Sequence, residues 1–404
     1  MKPICVLLQN HYDGDIRVRR KAEALVNAGY SVEVFALRNS GGRKDYYLEG
    51  VHVRTLSLGK ARGSLARYLY EYAIFWLWSF INVTFRMPFR KYAVIDVNTL
   101  PDFLIFAAAF AKAMGAKVVL DMHEITPEFY MSKYQIPENA SLVRLLKFIE
   151  RLSFRFADRV ITINEPITDL LASRGLDRRV TTIITNSADE SMFAGRRKHS
   201  EAVKESFVMM YHGTLTKLYG LDIAIEAFAL AQREIPGCEF WILGNGPEGE
   251  SLRELAKLRG VSQKVRLLGR VPWEEVPKWL AQCDLGVLAI RRDVFLEFAS
   301  PNKLPEYIIM GKPVVISRLR AVQRYFSESS LAYFEPGEVA DLARQMVRIY
   351  RDPEMRLSLV ASAAKEYAAI RWEVMRARYL ELIGSIIPSR HDAAKASSCK
   401  VGVA

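Results

Sequence analysis

Cysteine is scarce and scattered. The chain has 404 residues and four cysteines, Cys5, Cys238, Cys283 and Cys399, with no Cys-x-x-Cys among them. That excludes a disulfide scaffold and a zinc site built on close cysteine pairs, and it points to a reducing compartment. Long apolar runs are also missing. The longest uncharged stretch, Tyr72–Phe85 (YAIFWLWSFINVTF), falls short of the roughly 20 residues a membrane-spanning helix takes. The start, Met1 to Leu8, turns polar at once and lacks a small-residue cleavage site, so it reads as a buried strand rather than a signal peptide. No Gly-x-Gly-x-x-Gly follows that first apolar run, which sets aside a dinucleotide-dependent dehydrogenase. No basic patch with interleaved aromatics marks a nucleic-acid module.

What is present is an ordinary globular balance, 50% hydrophobic and 25% charged, with a formal net charge of +12. The basic excess is shared by the two halves, so neither end is a charged tail. A diffuse basic surface suits a polyanionic partner or solubility alone. The length predicts two or three domains.

Apolar patterning gives a strand at Ile4–Leu8, a helix from Asp15 to Ala28 and a strand at Ser31–Leu37. The rhythm continues with strands at Ala93–Val97, Lys117–Asp121, Arg159–Ile163 and Val180–Ile184, and helices from Pro101, over 140–157 and from Glu165. Polar, aperiodic residues 191–206 read as a linker. Strands at Val208–Tyr211, Cys238–Leu243, Lys264–Leu268, Leu285–Ile290 and Pro313–Ser317 then alternate with helices at Leu221–Arg233, Gly249–Lys257, Trp273–Gln282 and Asn302–Met310. Two such runs predict two doubly wound α/β domains, 1–190 and 207–365, with ligands at the carboxyl ends of the strands in the cleft between them. A helix over 366–387 and a polar tail, 388–404, expected to be disordered, complete the chain.

The segment Ser300–Val315 (SPNKLPEYIIMGKPVV) carries the chemistry. A loop enters a helix, Gly311 stops it and Pro313 starts a buried strand. Lys303 in the first turn opposes the helix dipole, a conflict that a bound phosphate would resolve. Glu306 is one turn on, where it could accept hydrogen bonds from a ribose diol. A plain loop–helix–strand with solvated charges is the competing reading.

This segment, with Tyr211-His212-Gly213-Thr214-Leu215, Tyr219-Gly220-Leu221-Asp222, Ile242-Leu243-Gly244-Asn245-Gly246-Pro247, Val265–Gly269 and Cys283–Val287, resembles the donor domain of glycosyltransferase family 4. The first half is similar to bacterial members through Asp15–Glu23, Asn98–Asp102, Asp121–Glu128, Ile163–Glu165, Thr185–Ser187 and Ile370–Glu373. The resemblance implies the B-type fold of two Rossmann-like domains, a closing helix that returns to the first domain, and a retaining transfer of a hexose-type sugar from a nucleotide diphosphate sugar. It implies a saccharide or lipid-linked acceptor, a role in surface polysaccharide or glycolipid synthesis, no metal or other cofactor, no nucleic-acid partner and a cytoplasmic location. No Asp-x-Asp metal motif of the other glycosyltransferase fold is visible.

By the same resemblance the catalytic set is His123, Lys303 and Glu306. The donor set is Gly213, Thr214, Lys217, Gly244, Gly246, Arg270, Arg292, Ser300, Asn302, Lys303 and Glu306. His123 would meet a donor-sugar hydroxyl. Asp13, Gly14, Arg17, Asn98, Glu124 and Glu128 would face the acceptor. The family pattern has two glutamates eight positions apart; the second is Glu306, while the first position holds Phe298, beside Glu297. Thr214 and Tyr219 stand where the family often has diphosphate-binding Arg and Lys. Competing functions are a sugar-nucleotide epimerase of the same fold and a non-catalytic nucleotide- or nucleic-acid-binding regulator. Tyr72–Phe85, flanked by Arg62, Arg67, Arg86, Arg90 and Lys91, is either a core helix or one docked on an anionic membrane at the inner face of the plasma membrane.

Overall fold

Strand β1 (Pro3–His11) is apolar over most of its length because it is central and covered on both faces. The structure, a computed structural model, describes residues 2–59, 65–193, 195 and 206–387. Around β1 the first sheet adds β2 (Ser31–Leu37), β3 (Asp45–Leu48), β4 (Val51–Leu56), β5 (Val94–Asn98), β6 (Lys117–Met122), β7 (Arg159–Thr162) and β8 (Thr181–Ile183). Its eight strands run in the order β3-β4-β2-β1-β5-β6-β7-β8. All neighbours are parallel except β3 and β4. That edge hairpin turns on Glu49 and Gly50, both at positive φ, as a two-residue hairpin turn requires. It was not legible in the sequence, since Asp45–Leu48 alternates exposed and half-buried residues without an apolar face.

The second sheet has six parallel strands: β9 (Val208–His212), β10 (Glu239–Leu243), β11 (Val265–Gly269), β12 (Leu285–Leu288), β13 (Val314–Ser317) and β14 (Ala332–Phe334). Their order is β11-β10-β9-β12-β13-β14. Two parallel sheets, each with crossover helices, are the two Rossmann-like domains the alternation predicts.

The units divide as Met1–Thr185 with Met375–Ala404, and Asn186–Val374. The division expected at 190 and 207 therefore shifts. Ala188 and Phe193 are buried in the second unit's core, which draws residues 186–193 out of the first domain. Most of the expected linker, and the 388–404 tail, lie outside the described residues. At the other end Tyr367 and Ile370 also pack in the second core, so the chain leaves that unit only within the helix Trp372–Ile386. In the first unit Thr185 N–H donates to Met375 Sδ at 3.1 Å, and Tyr379 Oη donates to Asp96 Oδ2 at 2.7 Å.

Helical patterning predicts Ile16–Asn27, Ser141–Phe156 and Leu221–Ala231 to within a few residues. Asp15 caps the first by accepting from Val18 N–H. The helix expected from Pro101 is a 3₁₀ run, Asp102–Ala108, leading into a short helix, Ala109–Ala113. Tyr72–Phe85 lies inside one helix, Leu65–Arg90. No helix of the described residues is long and apolar enough to cross a membrane.

Candidate active site

In the second unit the exits of β9, β10 and β11 are laced by backbone bonds. Gly213 N–H donates to Leu243 O at 2.8 Å, Gly244 N–H to Gly269 O at 2.7 Å and Leu215 N–H to Asn245 O at 3.0 Å. Two glycines are obligatory here. Gly213 has φ +135°, and a Cβ on it would sit 2.0 Å from Lys303 Cε; Gly244 has φ +144°, and its Cβ would sit 1.7 Å from Gly213 O. At Gly246 a Cβ would fall 2.2 Å from Leu215 O. Since the Gly213 and Gly244 amides are spent on carbonyls, these glycines supply room rather than donors.

Lys303 fills that room. Its Nζ is 4.4 Å from the centroid of the Tyr219 ring and 5.5 Å from that of Tyr211, cation–π distances. Burial pushes its ammonium down to about 8, with Glu306 pulling the other way. One turn along, Glu306 Oε2 lies 2.7 Å from His212 Nε2. His212 Nδ1 lies 3.1 Å from Tyr307 Oη, which donates to Met210 O at 2.8 Å. The His212 ring therefore bridges Glu306 and Tyr307, one nitrogen to each. Tyr307 reaches this position because β12 carries Gly286, where a Cβ would meet the ring at 2.8 Å. His212 and Tyr307 lay within the quoted motifs but were not assigned to the site. The only signal for His212 was a polar residue ending an apolar strand, and Tyr307 follows Glu306 directly in the helix.

The other expected donor residues are arranged differently. Thr214, Lys217, Arg270 and Asn302 are exposed, and among the described residues no hydrogen bond joins their side chains to Lys303 or Glu306. Ser300 is half-buried ahead of the helix. Arg292, expected at the diphosphate, instead donates to Glu297 at 2.7 Å and lies 3.7 Å from Glu335. Glu297 also accepts from Arg320 N–H at 3.0 Å, and the Arg320 guanidinium lies 5.6 Å from the Phe298 ring. Glu297 thus braces the loop. Arg291 pairs with Asp222 and donates to Lys217 O, tying the Lys217 turn to the Leu221–Ala231 helix.

In the first unit β5, β6 and the first helix bring together a buried polar network. His123 Nε2 lies 2.9 Å from Asn98 Oδ1, and its Nδ1 lies 3.4 Å from Asp121 Oδ1. Lys21 pairs with Asp121 and donates to Asn98 Oδ1 at 3.3 Å. Burial, helped by the charges of Arg17 and Lys21, holds His123 well below the usual imidazole range, so the ring is neutral. Burial likewise pushes Lys21 down to about 8. His123 is only 6% exposed. Nε2 is engaged by Asn98, while Nδ1 is buried and has no hydrogen-bond partner among the described residues, so His123 sits in this network with one ring nitrogen uncommitted.

Of the acceptor-side residues, Asn98 belongs to this network and Arg17 borders it, 3.5 Å from Asp15. Gly14 has open space where a Cβ would stand. Asp13 is held elsewhere, accepting from Asn39 at 2.9 Å and Tyr46 at 2.6 Å. Glu124 is half-buried. Glu128 is corrected outright: it is buried and doubly bonded to Arg174, which also reaches Glu150 at 3.5 Å, so its carboxylate faces the interior. Among the described residues no group of three or more His, Cys, Asp or Glu is placed to hold a metal ion.

Comparison with known proteins bears on the family and the fold. The family described as glycosyl transferases group 1 matches residues 206–352, and the glycosyl transferase 4-like domain matches residues 15–187. The chain is 24% identical over 265 residues to the probable glycosyltransferase WbjE of Pseudomonas aeruginosa, covering 63% of this chain and 65% of that protein. It is 26% identical over 246 residues to the lipopolysaccharide core biosynthesis glycosyltransferase LpsE of Rhizobium meliloti, covering 60% and 69%. The match thus spans about two thirds of these relatives' length. Among solved structures, sucrose-phosphate synthase from Thermosynechococcus elongatus superposes with a TM-score of 0.75 at 18% identity, covering 96% of this chain and 99% of that one. HepE from Anabaena, in complex with UDP, superposes at 0.70 and 17%, covering 95% and 100%. With both of its sheets and both of its halves accounted for, the chain belongs to the glycosyltransferases of the family 4 type and has their B-type fold of two Rossmann-like domains.

Proposed function

We propose that the chain moves a hexose-type sugar from a nucleotide diphosphate sugar to a saccharide or lipid-linked acceptor, with retention of anomeric configuration, in the synthesis of a surface polysaccharide or glycolipid. The observation that carries this reading is Lys303, held between two tyrosine rings over glycine-only strand exits, with Glu306 one turn further. The ammonium stabilises charge developing on the leaving diphosphate, and its partly desolvated setting strengthens that interaction. Glu306 Oε2 is fixed by His212, which leaves Oε1 for the ribose hydroxyls. HepE was solved with UDP and with UDP-glucose, and WbjE and LpsE are named as glycosyltransferases, which supports a nucleotide-sugar donor and a surface-glycan product. In this reading Lys303 takes the place of a metal ion. Buried cysteines held as thiols, Cys5 and Cys238 among them, suit the cytoplasm.

The test is calorimetric binding of UDP, GDP and dTDP, without added metal, to wild type and Lys303→Ala. One nucleotide should bind at about micromolar strength and lose at least about tenfold in the variant, a change of roughly 1.4 kcal/mol. Binding of none of them would remove the donor assignment. Proton NMR of the product's anomeric signal then decides retention.

A further inference from the structure

The helix Leu65–Arg90 shows solvent an apolar stripe. Leu69, Tyr70, Leu77, Ile81, Phe85 and Phe89 are 51%, 51%, 47%, 42%, 72% and 86% exposed. From Leu77 onward they recur every fourth residue, along one side of a helix. The stripe from Leu69 to Phe89 is about 30 Å long at the rise of an α-helix. Monomeric soluble proteins rarely leave so continuous an apolar strip uncovered.

Two neighbours extend it. The Asp102–Ala113 segment packs against this helix and against Ser141–Phe156. The crossovers β4→β5, β5→β6 and β6→β7 all step the same way along the sheet, so right-handed connections put these three elements on one face. Phe110 is 39% exposed, and Leu145 and Phe148 are 52% and 55% exposed. On Ser141–Phe156 the outward side divides lengthwise. Leu145, Phe148 and Leu152 take one half, and Arg144, Arg151 and Arg155 the other, at 100° per residue.

Charge on this face has one sign. The carboxylates of the three elements are Glu71, Asp102 and Glu150, and all are buried. Of the basic residues expected from the sequence to flank the apolar helix, Arg67 pairs with Glu71, Arg86 and Arg90 each lie within 3.9 Å of Glu33, and Lys91 is exposed. Arg62 lies outside the described residues. Most of the outward charge comes from Arg144, Arg151 and Arg155, none of which has a carboxylate partner among the described residues.

We infer that this face of the first unit docks on an anionic bilayer surface, with Leu77, Ile81, Phe85 and Phe89 entering the headgroup–acyl boundary and Arg144, Arg151 and Arg155 meeting lipid phosphates. An apolar stripe beside unopposed arginines is the chemistry of an interfacial helix. A second copy of the chain suits it less, because two-fold pairing sets the same basic row against itself. The inference rests on the first unit alone and stands apart from the donor reading.

The experiment is flotation of the full chain with vesicles of phosphatidylcholine alone or with added phosphatidylglycerol. Wild type should bind the mixed vesicles at least about tenfold more tightly than the neutral ones. Ile81→Ser/Phe85→Ser should lose about tenfold or more on mixed vesicles. Arg151→Gln/Arg155→Gln should keep the weak neutral binding and lose the preference. Thermal melts and sedimentation accompany each protein, and the substituted positions are exposed, so unchanged melting temperatures are expected. No binding to either vesicle overturns the inference, as does binding indifferent to both sets of substitutions. A wild-type dimer that Ile81→Ser/Phe85→Ser turns monomeric, without vesicle binding, assigns the face to self-association instead.

Discussion

His212 Nε2 stands 2.7 Å from Glu306 Oε2, and both residues are buried. The histidine comes from the last residue of β9 and the glutamate from a helix after β12, so one hydrogen bond fixes the carboxylate beside the strand exits. His212→Phe leaves that carboxylate oxygen and Tyr307 Oη without their partner, which costs about 1–3 kcal/mol. A lowered melting temperature together with a raised donor KM is the expected result. A changed melting temperature with an unchanged KM would separate His212 from the donor site.

Lys303 titrates near 8. Only its protonated form attracts a diphosphate, and binding the anion favours that form. Nucleotide affinity should therefore fall as pH rises from about 7 through 8 toward the higher value in the complex. Lys303→Arg keeps its charge throughout and should flatten this fall. Calorimetry across that range reads both proteins.

Tyr219 holds the Lys303 ammonium 4.4 Å from its ring. Tyr219→Phe retains the π face and should bind nucleotide like wild type. Tyr219→Ala removes it and should weaken nucleotide binding by about 0.5–2 kcal/mol. Equal loss in both variants would give the role to the hydroxyl.

Glu150 is fully buried, and burial pushes its carboxyl up to about 8. The folded state therefore holds a proton that the unfolded chain releases near the ordinary glutamate value of about 4.3. Stability from this group is present below that value and is lost as pH rises toward 8. In Glu150→Gln the melting temperature should drop less over this interval than in wild type. Arg174→Ala, which strands the buried Glu128, should cost about 3–5 kcal/mol.

Tyr379 donates to the buried Asp96 at 2.7 Å, and its ring lies 5.5 Å from Lys21 Nζ. Tyr379→Phe deletes only the hydroxyl and should lower stability by about 1–3 kcal/mol. A denaturant melt checks it.

Strand and helix periodicity was legible wherever one element alternated with the next, because buried parallel strands are nearly continuous apolar runs. It failed at Asp45–Leu48, an edge strand without such a run, and at Asp102–Ala108, whose apolar residues fit a 3₁₀ run as well as an α-helix, and the strands Val51–Leu56 and Ala332–Phe334 and the helices Val339–Arg351 and Pro353–Tyr367 were not among the expected elements. Lys303 and Glu306 stood out because a cation in a first helical turn conflicts with the dipole. His212 and Tyr307 did not, since the contacts they make with each other and with Glu306 and Met210 join residues about 95 apart in sequence.

The sequence by itself determined the two α/β halves, the family and the place of the Lys303–Glu306 helix, since local periodicity and spaced motifs carry those. Only the tertiary structure decided which charges are spent. Arg292 turns to Glu297, Glu128 to Arg174 and Arg86 and Arg90 to Glu33, while Lys303 is left among tyrosine rings. Ion pairing and burial depend on residues brought together from different elements, and one-dimensional spacing does not record them.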